Sequence, residues 1–281
     1  MSRQPDEKEK LSGGPAEKAS ILWHSYLTGD HSRLDAPTRA VRNLFKRLPS
    51  ANRCRVCNAP FAGPASILVS LLGFGAGRSN FNPSLCGRCE ILVKRHQVGT
   101  EVQLTLLFAD VRGSTALAEE IGASSFHHLI NRFYIASTEV LVQTHALIEK
   151  MIGDEVAGLY VPGIAGEDHA RIAVNAAQAL LKATGHADSN GPWIKVGAGV
   201  HTGTAYVGAV GSSQSVSDIT VLGDAANTAA RLASQAGAGE ILVSEETCYA
   251  AGFDSNDWET RLLQLKGRSQ AMPVRVIRVS E

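Results

Sequence analysis

Two aspartates sit in frames that could do chemistry. Asp110 closes the apolar run Leu104-Thr-Leu-Leu-Phe-Ala-Asp110, and Asp154 stands at the tip of Ile148-Glu-Lys-Met-Ile-Gly-Asp154. Each follows a strand-like run, so each carboxylate projects from a rigid support. Two hard oxygen ligands on neighbouring strands suit Mg²⁺, which takes one or two carboxylates and fills its shell with water and phosphate oxygens. The chemistry implied is phosphoryl chemistry on a nucleotide. Taken singly, Asp110 also fits a helix N-cap and Asp154 a hairpin turn.

A second segment, Ser217-Asp-Ile-Thr220-Val-Leu-Gly-Asp224-Ala-Ala-Asn227-Thr-Ala-Ala-Arg231-Leu, has the form of a strand, a glycine turn and a helix start. Asn227 and Arg231 are four apart and share a helix face. There an Arg can neutralise phosphate charge and an Asn can orient a hydroxyl. The blander alternative is a polar helix face with Arg231 paired to Asp224. A third set is Cys54-Arg-Val-Cys57 and Cys86-Gly-Arg-Cys89. Paired Cys-x-x-Cys knuckles point four thiolates at one centre, which favours structural zinc, with an iron–sulfur cluster as the competitor. Cys248 stands apart as a packing residue.

Phe108-Ala-Asp-Val-Arg-Gly-Ser-Thr115, Lys150-Met-Ile-Gly-Asp154, Gly199-Val-His-Thr-Gly203 and Thr220-Val-Leu-Gly-Asp-Ala-Ala-Asn-Thr-Ala-Ala-Arg-Leu232 together resemble the catalytic domain of class III nucleotide cyclases, in order over about residues 100–280. The resemblance implies a ferredoxin-like α+β domain, an antiparallel sheet with helices packed on it. It implies that Asp110, Asp154 and the Val111 carbonyl hold two Mg²⁺ or Mn²⁺ ions. Gly113, Ser114 and Thr115 open a helix whose free N–H groups would hold phosphate oxygens. Asn227 and Arg231 match the transition-state pair, and Lys266 matches the triphosphate-binding lysine. Lys150 matches the donor to adenine N1. Thr220 matches the acceptor from the adenine amino group in a Lys/Thr adenylyl-cyclase subclass. The pair favours ATP over GTP, although a Thr hydroxyl can both donate and accept. The resemblance further implies a homodimer, with the aspartates from one protomer and Lys150, Thr220, Asn227, Arg231 and Lys266 from the other. His201 is taken as structural.

Charge divides the chain. Residues 1–100 hold 15 Lys/Arg against 7 Asp/Glu, and residues 101–281 hold 12 against 20. A basic first third could meet nucleic acid, an anionic membrane or the acidic half, or be a solvated surface. The longest apolar run, Ile67–Phe74, is too short to span a bilayer, and the charged N-terminus lacks a signal-peptide core. Paired cysteines without a disulfide pattern fit a reducing compartment, so the expectation is a cytoplasmic protein with no membrane span.

The elements that must position these groups follow from pattern. Residues 1–18 are polar and expected to be a disordered tail. Residues 19–98 form a helical, tetracysteine module with a linker, with helices over 19–28, 36–48 and 87–98. Residues 99–281 form the cyclase-like domain. Its expected order is strand 102–109, helices within 114–146, a hairpin 147–152/155–161, helix 166–186, and separate strands 194–201 and 204–210. Strand 218–221, helix 224–236 and strands near 240–243, 260–265 and 273–279 complete it. Gly73–Gly77 reads as a flexible turn rather than a phosphate loop. The leading expectation is an adenylate cyclase regulated by the N-terminal module. The alternatives are a guanylate or dual-specificity cyclase, and a metal-knuckle nucleic-acid-binding protein with a cyclase-like sensory domain; retention of both aspartates and the Asn/Arg pair makes nucleic acid the weaker partner.

Overall fold

A computed structural model describes residues 14–279 apart from 51, 74–76, 80–83, 212–216, 256 and 266–269. Four helices come first: α1 (Pro15–Thr28), α2 (Ala36–Arg47), α3 (Pro64–Leu71) and α4 (Gly87–His96). The first three begin with proline in the first turn, where its missing N–H costs nothing. Asp35 caps α2 by accepting from the Thr38 N–H at 2.9 Å. Residues 15–18, expected in the tail, thus belong to α1, started by Pro15. Residues 1–13 of that tail and Gly73–Gly77 apart from its two ends lie outside the described residues.

The second part alternates β1 (Gly99–Val111), α5 (Ser114–Ile121), α6 (Ala123–Gln143), β2 (Leu147–Ile152), β3 (Glu155–Tyr160), α7 (Pro162–Ala165), α8 (His169–Ala183), β4 (Val196–Gly211), β5 (Ser217–Leu222), α9 (Asp224–Gln235), β6 (Glu240–Ser244), α10 (Glu245–Ala251), β7 (Glu259–Leu263) and β8 (Met272–Arg278). The strands form one sheet in the order β2-β3-β1-β4-β6-β8-β7, with β5 also on β4. All pairings are antiparallel except β4 with β6. This is the α+β architecture expected.

The centre of the sheet departs from expectation. Residues 194–201 and 204–210 are not two strands flanking a Thr-Gly turn but the single strand β4. It pairs with β1 in unbroken register from Gly99↔Gly208 to Val111↔Val196. Thr202 lies inside this ladder, its buried hydroxyl 2.8 Å from that of Thr105. A partner strand of equal reach keeps Thr202-Gly203 extended, where local propensity alone reads as a turn. The expected helix 166–186 is also shorter, α8 being preceded by the brief α7.

Alternation along β1 separates two cores. Val102, Leu104, Leu106 and Phe108 join the cluster that holds Trp23, Tyr26 and Phe45 of the N-terminal helices and Ala229 and Ala233 of α9. Leu107, Ala109 and Val111 face the cluster containing Phe133 of α6 and Val174 and Leu180 of α8. The N-terminal helices and the sheet therefore share one apolar cluster. Its polar pins are Trp23 Nε1–H donating to the Val207 carbonyl at 3.0 Å and His24 Nδ1 lying 3.1 Å from Thr100 Oγ1. Gly199 lets α9 lie close on β4, since an added methyl would meet the backbone of Ala229 and Ala233. No described helix is long and apolar enough to cross a membrane.

Candidate functional site

Asp110 sits one residue from the end of β1 and faces Glu155 across the β1–β3 ladder. The β2–β3 hairpin turns at Gly153, whose φ of 66° suits a residue without a Cβ. The turn is pinned twice: Tyr134 Oη donates to the Gly153 carbonyl at 2.8 Å, and the Val111 N–H donates to the Asp154 carbonyl at 3.1 Å. Asp110, Val111 and Asp154 are thereby brought to one corner of the sheet. Arg112 pairs with the Asp110 carboxylate and donates to the Ser234 carbonyl at 2.8 Å, tying the end of α9 to this corner.

The corner is crowded with negative charge. Burial pushes Asp110 above the usual carboxylate range, Arg112 opposes that, and Asp154 adds to it. Glu155 rises to about 7, first through burial and then through Asp110, Glu149 and Asp154. Half-buried carboxylates gathered at one corner, all offering oxygen, fit divalent Mg²⁺ or Mn²⁺. Beside them opens a cleft of about 740 Å³ lined by Ser114, Thr115, Tyr134 and Asp154 among others. Gly113 stands at the N-cap of α5 with Ser114 and Thr115 in its first turn, so these free N–H groups share a cleft with Asp154.

The second residue set stands on β5, β2 and α9. Thr220 is 8 % exposed, and its hydroxyl donates to Glu149 Oε1 at 2.5 Å, bridging β5 to β2. Glu149 occupies a break in the β2–β3 register between Ile148 and Lys150. Lys150 follows on β2, while Lys266 lies outside the described residues. In α9 the buried face is Ala225, Ala226, Thr228, Ala229, Leu232 and Ala233. Asn227 is exposed and Arg231 half-buried, away from that face. His201 is buried with Nδ1 2.8 Å from Ser244 Oγ, as a structural residue should be.

Three site residues escaped the sequence reading. Glu155 could have been found as the second acid of Asp154-Glu155. Glu149 carries no local signal, because its partner Thr220 is 71 residues distant; Arg112 stands two residues from Asp110, but its tie to Ser234 spans 122 residues.

The cysteines converge as their spacing predicts. The Sγ atoms of Cys54, Cys57, Cys86 and Cys89 all lie within 4.8 Å of one another, with Cys57 and Cys86 3.8 Å apart. Asn58, at φ 62°, turns the first knuckle, its N–H donating to the Cys54 carbonyl at 2.8 Å. The Cys86 N–H donates to Cys54 Sγ at 3.3 Å. Hydrogen bonding from the neighbouring sulfurs, Cys54 first, holds Cys86 well below the ordinary thiol value. A tetrahedral ion with Zn–S bonds of about 2.3 Å sets sulfur–sulfur edges near about 3.8 Å, so this donor set fits one metal ion.

The profile of the adenylate and guanylate cyclase catalytic domain matches residues 97–273. An adenylate cyclase of Anabaena cylindrica is 29% identical over 187 residues, covering 61% of this chain and 36% of that protein. The chain thus spans about a third of that relative's length. Among solved structures, the adenylyl cyclase CyaB from P. aeruginosa superposes with a TM-score of 0.54 at 28% identity, over 64% of this chain and 95% of that one. The guanylyl cyclase Cya2 superposes at 0.57 with 24% identity, over 65% and 95%, and speaks to the fold alone.

If the acidic corner holds the ions, Asp110→Ala and Asp154→Ala should each lose Mn²⁺ binding, read by titration calorimetry. Each should lose nucleotide turnover on the order of a thousandfold, the scale of removing a preorganised charge-stabilising group. Circular dichroism should stay unchanged. Full turnover or full Mn²⁺ binding in either variant rejects the assignment.

Proposed function

The chain belongs to the adenylate and guanylate cyclase catalytic domain family, and we propose that it converts ATP to 3′,5′-cyclic AMP and pyrophosphate. The observation that carries the choice of base is the Thr220–Glu149 hydrogen bond. A threonine hydroxyl has one proton. With that proton committed to Glu149, only the lone pairs of Thr220 face a base. They accept from the 6-amino group of adenine and have nothing to offer the 6-carbonyl of guanine. Lys150, next along β2, supplies the donor to adenine N1.

Asp110, Asp154 and the Val111 carbonyl would hold two Mg²⁺ or Mn²⁺ ions, whose chemistry is to acidify the ribose 3′-hydroxyl and neutralise the triphosphate. The first turn of α5, at Gly113, Ser114 and Thr115, donates N–H groups to phosphate oxygens. Asn227 orients the ribose so that its 3′-oxygen lies in line with the α-phosphorus and the leaving pyrophosphate oxygen. Arg231 offsets charge that develops on the α-phosphoryl oxygens, and Lys266 grips the triphosphate.

The active form in this reading is a homodimer. Asn227 and Arg231 lie off the buried face of α9, which supports their serving the aspartates of a second copy. A two-fold dimer then holds two equivalent sites. The four thiolates hold one zinc ion, because a cluster would insert several irons and sulfides between sulfurs that stand within 4.8 Å. The module regulates the site through the β4 strand it grips at Val207, which pairs with the Thr220 strand at Val207↔Val221. Cytoplasmic location accords with the substrate and with reduced cysteines.

Three outcomes test this reading. Wild type should make cyclic AMP well and cyclic GMP poorly, and Glu149→Ala, which frees the Thr220 proton, should narrow the ATP/GTP ratio of kcat/KM by about tenfold, the worth of one hydrogen bond. A wild type that prefers GTP rejects the pocket assignment. Asp110→Ala and Arg231→Ala should each be inactive yet regain turnover when mixed, since one site of the heterodimer is intact. A dead mixture with proven subunit exchange rejects shared sites. Elemental analysis should find about one zinc per chain in a colourless protein; iron with sulfide would replace the zinc assignment.

A further inference from the structure

The tetracysteine module carries an apolar surface that catalysis does not use. On α3, Ile67 is 65% exposed, Leu68 55%, Leu71 80% and Leu72, just beyond its end, 62%. The residues at 67, 68, 71 and 72 fall on one side of the helix by their spacing. On α4, Arg88, Ile91 and Arg95 are exposed and share a face, with Ile91 at 64%. The Arg88 guanidinium donates to the Gly73 carbonyl at the end of α3, which joins the two exposed faces. The surroundings are basic: residues 31–100 contain eleven Lys/Arg against two Asp/Glu.

We propose that α3 and the outer face of α4 form an interfacial membrane-docking surface that inserts Ile67, Leu68, Leu71 and Leu72 among the acyl chains of an anionic lipid layer. Helix α3 is too short to cross a bilayer but is suited to lie in its headgroup boundary, with cations at the phosphate level. Shape supports this occupant. Leucines exposed to this degree protrude, as a wedge does, and do not line a groove for a peptide. Charge supports it too. Pairing this face with itself in a second copy would gather Arg88 and Arg95 of both copies into one interface, where no acidic residue of the face offsets them. In the acidic half the exposed Ile135, Val210, Leu222, Tyr249 and Leu262 each stand on a different element, and the apolar lining with Phe126 and Ile130 belongs to the cleft of Asp154. Nucleic acid would answer the arginines but not the aliphatic side chains, since bases stack on aromatic rings.

The test is cosedimentation of the full-length, metal-loaded protein with vesicles of equal parts phosphatidylcholine and phosphatidylglycerol, against pure phosphatidylcholine. Wild type should pellet with the mixed vesicles, weakly with the neutral ones, and less as salt rises. The double variant Leu68→Glu/Leu71→Glu should partition about tenfold less or worse, with unchanged zinc content and unchanged turnover without vesicles. Arg95→Glu should weaken binding only to the anionic vesicles. Wild type left in the supernatant overturns the proposal, as does a double variant that binds like wild type. A double variant whose assembly falls apart in sedimentation velocity assigns the face to a second copy and overturns it equally. Retention on duplex DNA without vesicle binding assigns it to nucleic acid. Because binding is read without substrate, failure here leaves the cyclase assignment standing, and failure of that assignment leaves this result standing.

Discussion

The β1–β4 ladder is the constraint on which the molecule depends. Thirteen residues of each strand pair without a shift. A long antiparallel ladder pairs the backbone groups of alternate residues, leaves the others to the flanking strands, and fixes which side chains face which layer. Its register puts Asp110 at a strand end opposite Gly197, and puts Gly199 opposite Phe108 where α9 must come close. A slip of one residue would turn Leu104 and Leu106 away from the N-terminal helices and Asp110 away from its corner. The ladder also explains why the N-terminal part is not a bead on a string. The same alternation that buries Leu107 under α6 and α8 presents Leu106 to Trp23 and Tyr26.

On this frame the acidic corner is held in an electrostatically costly arrangement. Asp110, Asp154 and Glu155 are kept together by backbone hydrogen bonds and strand pairing, not by attraction among their side chains. Burial first, and then the charges of Asp110, Glu149 and Asp154, push Glu155 up to about 7. Such a corner gains most from a divalent cation, because the scaffold has already brought the ligands together. Arg112 moderates the charge and couples it to α9.

The cysteine site follows a parallel logic with softer ligands. Its knuckles come from tight backbone turns, and its buried sulfurs belong to the apolar cluster that continues onto the sheet. A metal bound there would tie α4 and the first knuckle into one rigid piece resting on β4. Binding at such a site is also folding free energy, because the unfolded chain has no preformed thiolate shell.

The sequence by itself was enough to single out the candidate site residues. Asp110, Asp154, Asn227, Arg231 and the four cysteines are marked by local frames, since strand ends, glycine turns and Cys-x-x-Cys spacings are short-range features. The α+β order and the hairpin around Gly153-Asp154 were legible for the same reason. Tertiary structure decided what depends on distant partners. Thr202-Gly203 looks like a turn until β1 is laid beside it. Thr220 looks free to donate or accept until Glu149, at a register break in β2, takes its proton. Likewise, α3 is not among the helices expected from pattern, and only packing leaves its leucines outside. Hydrogen-bond direction, strand continuity and exposure are properties of pairs of segments far apart in the chain, and a local pattern cannot encode them.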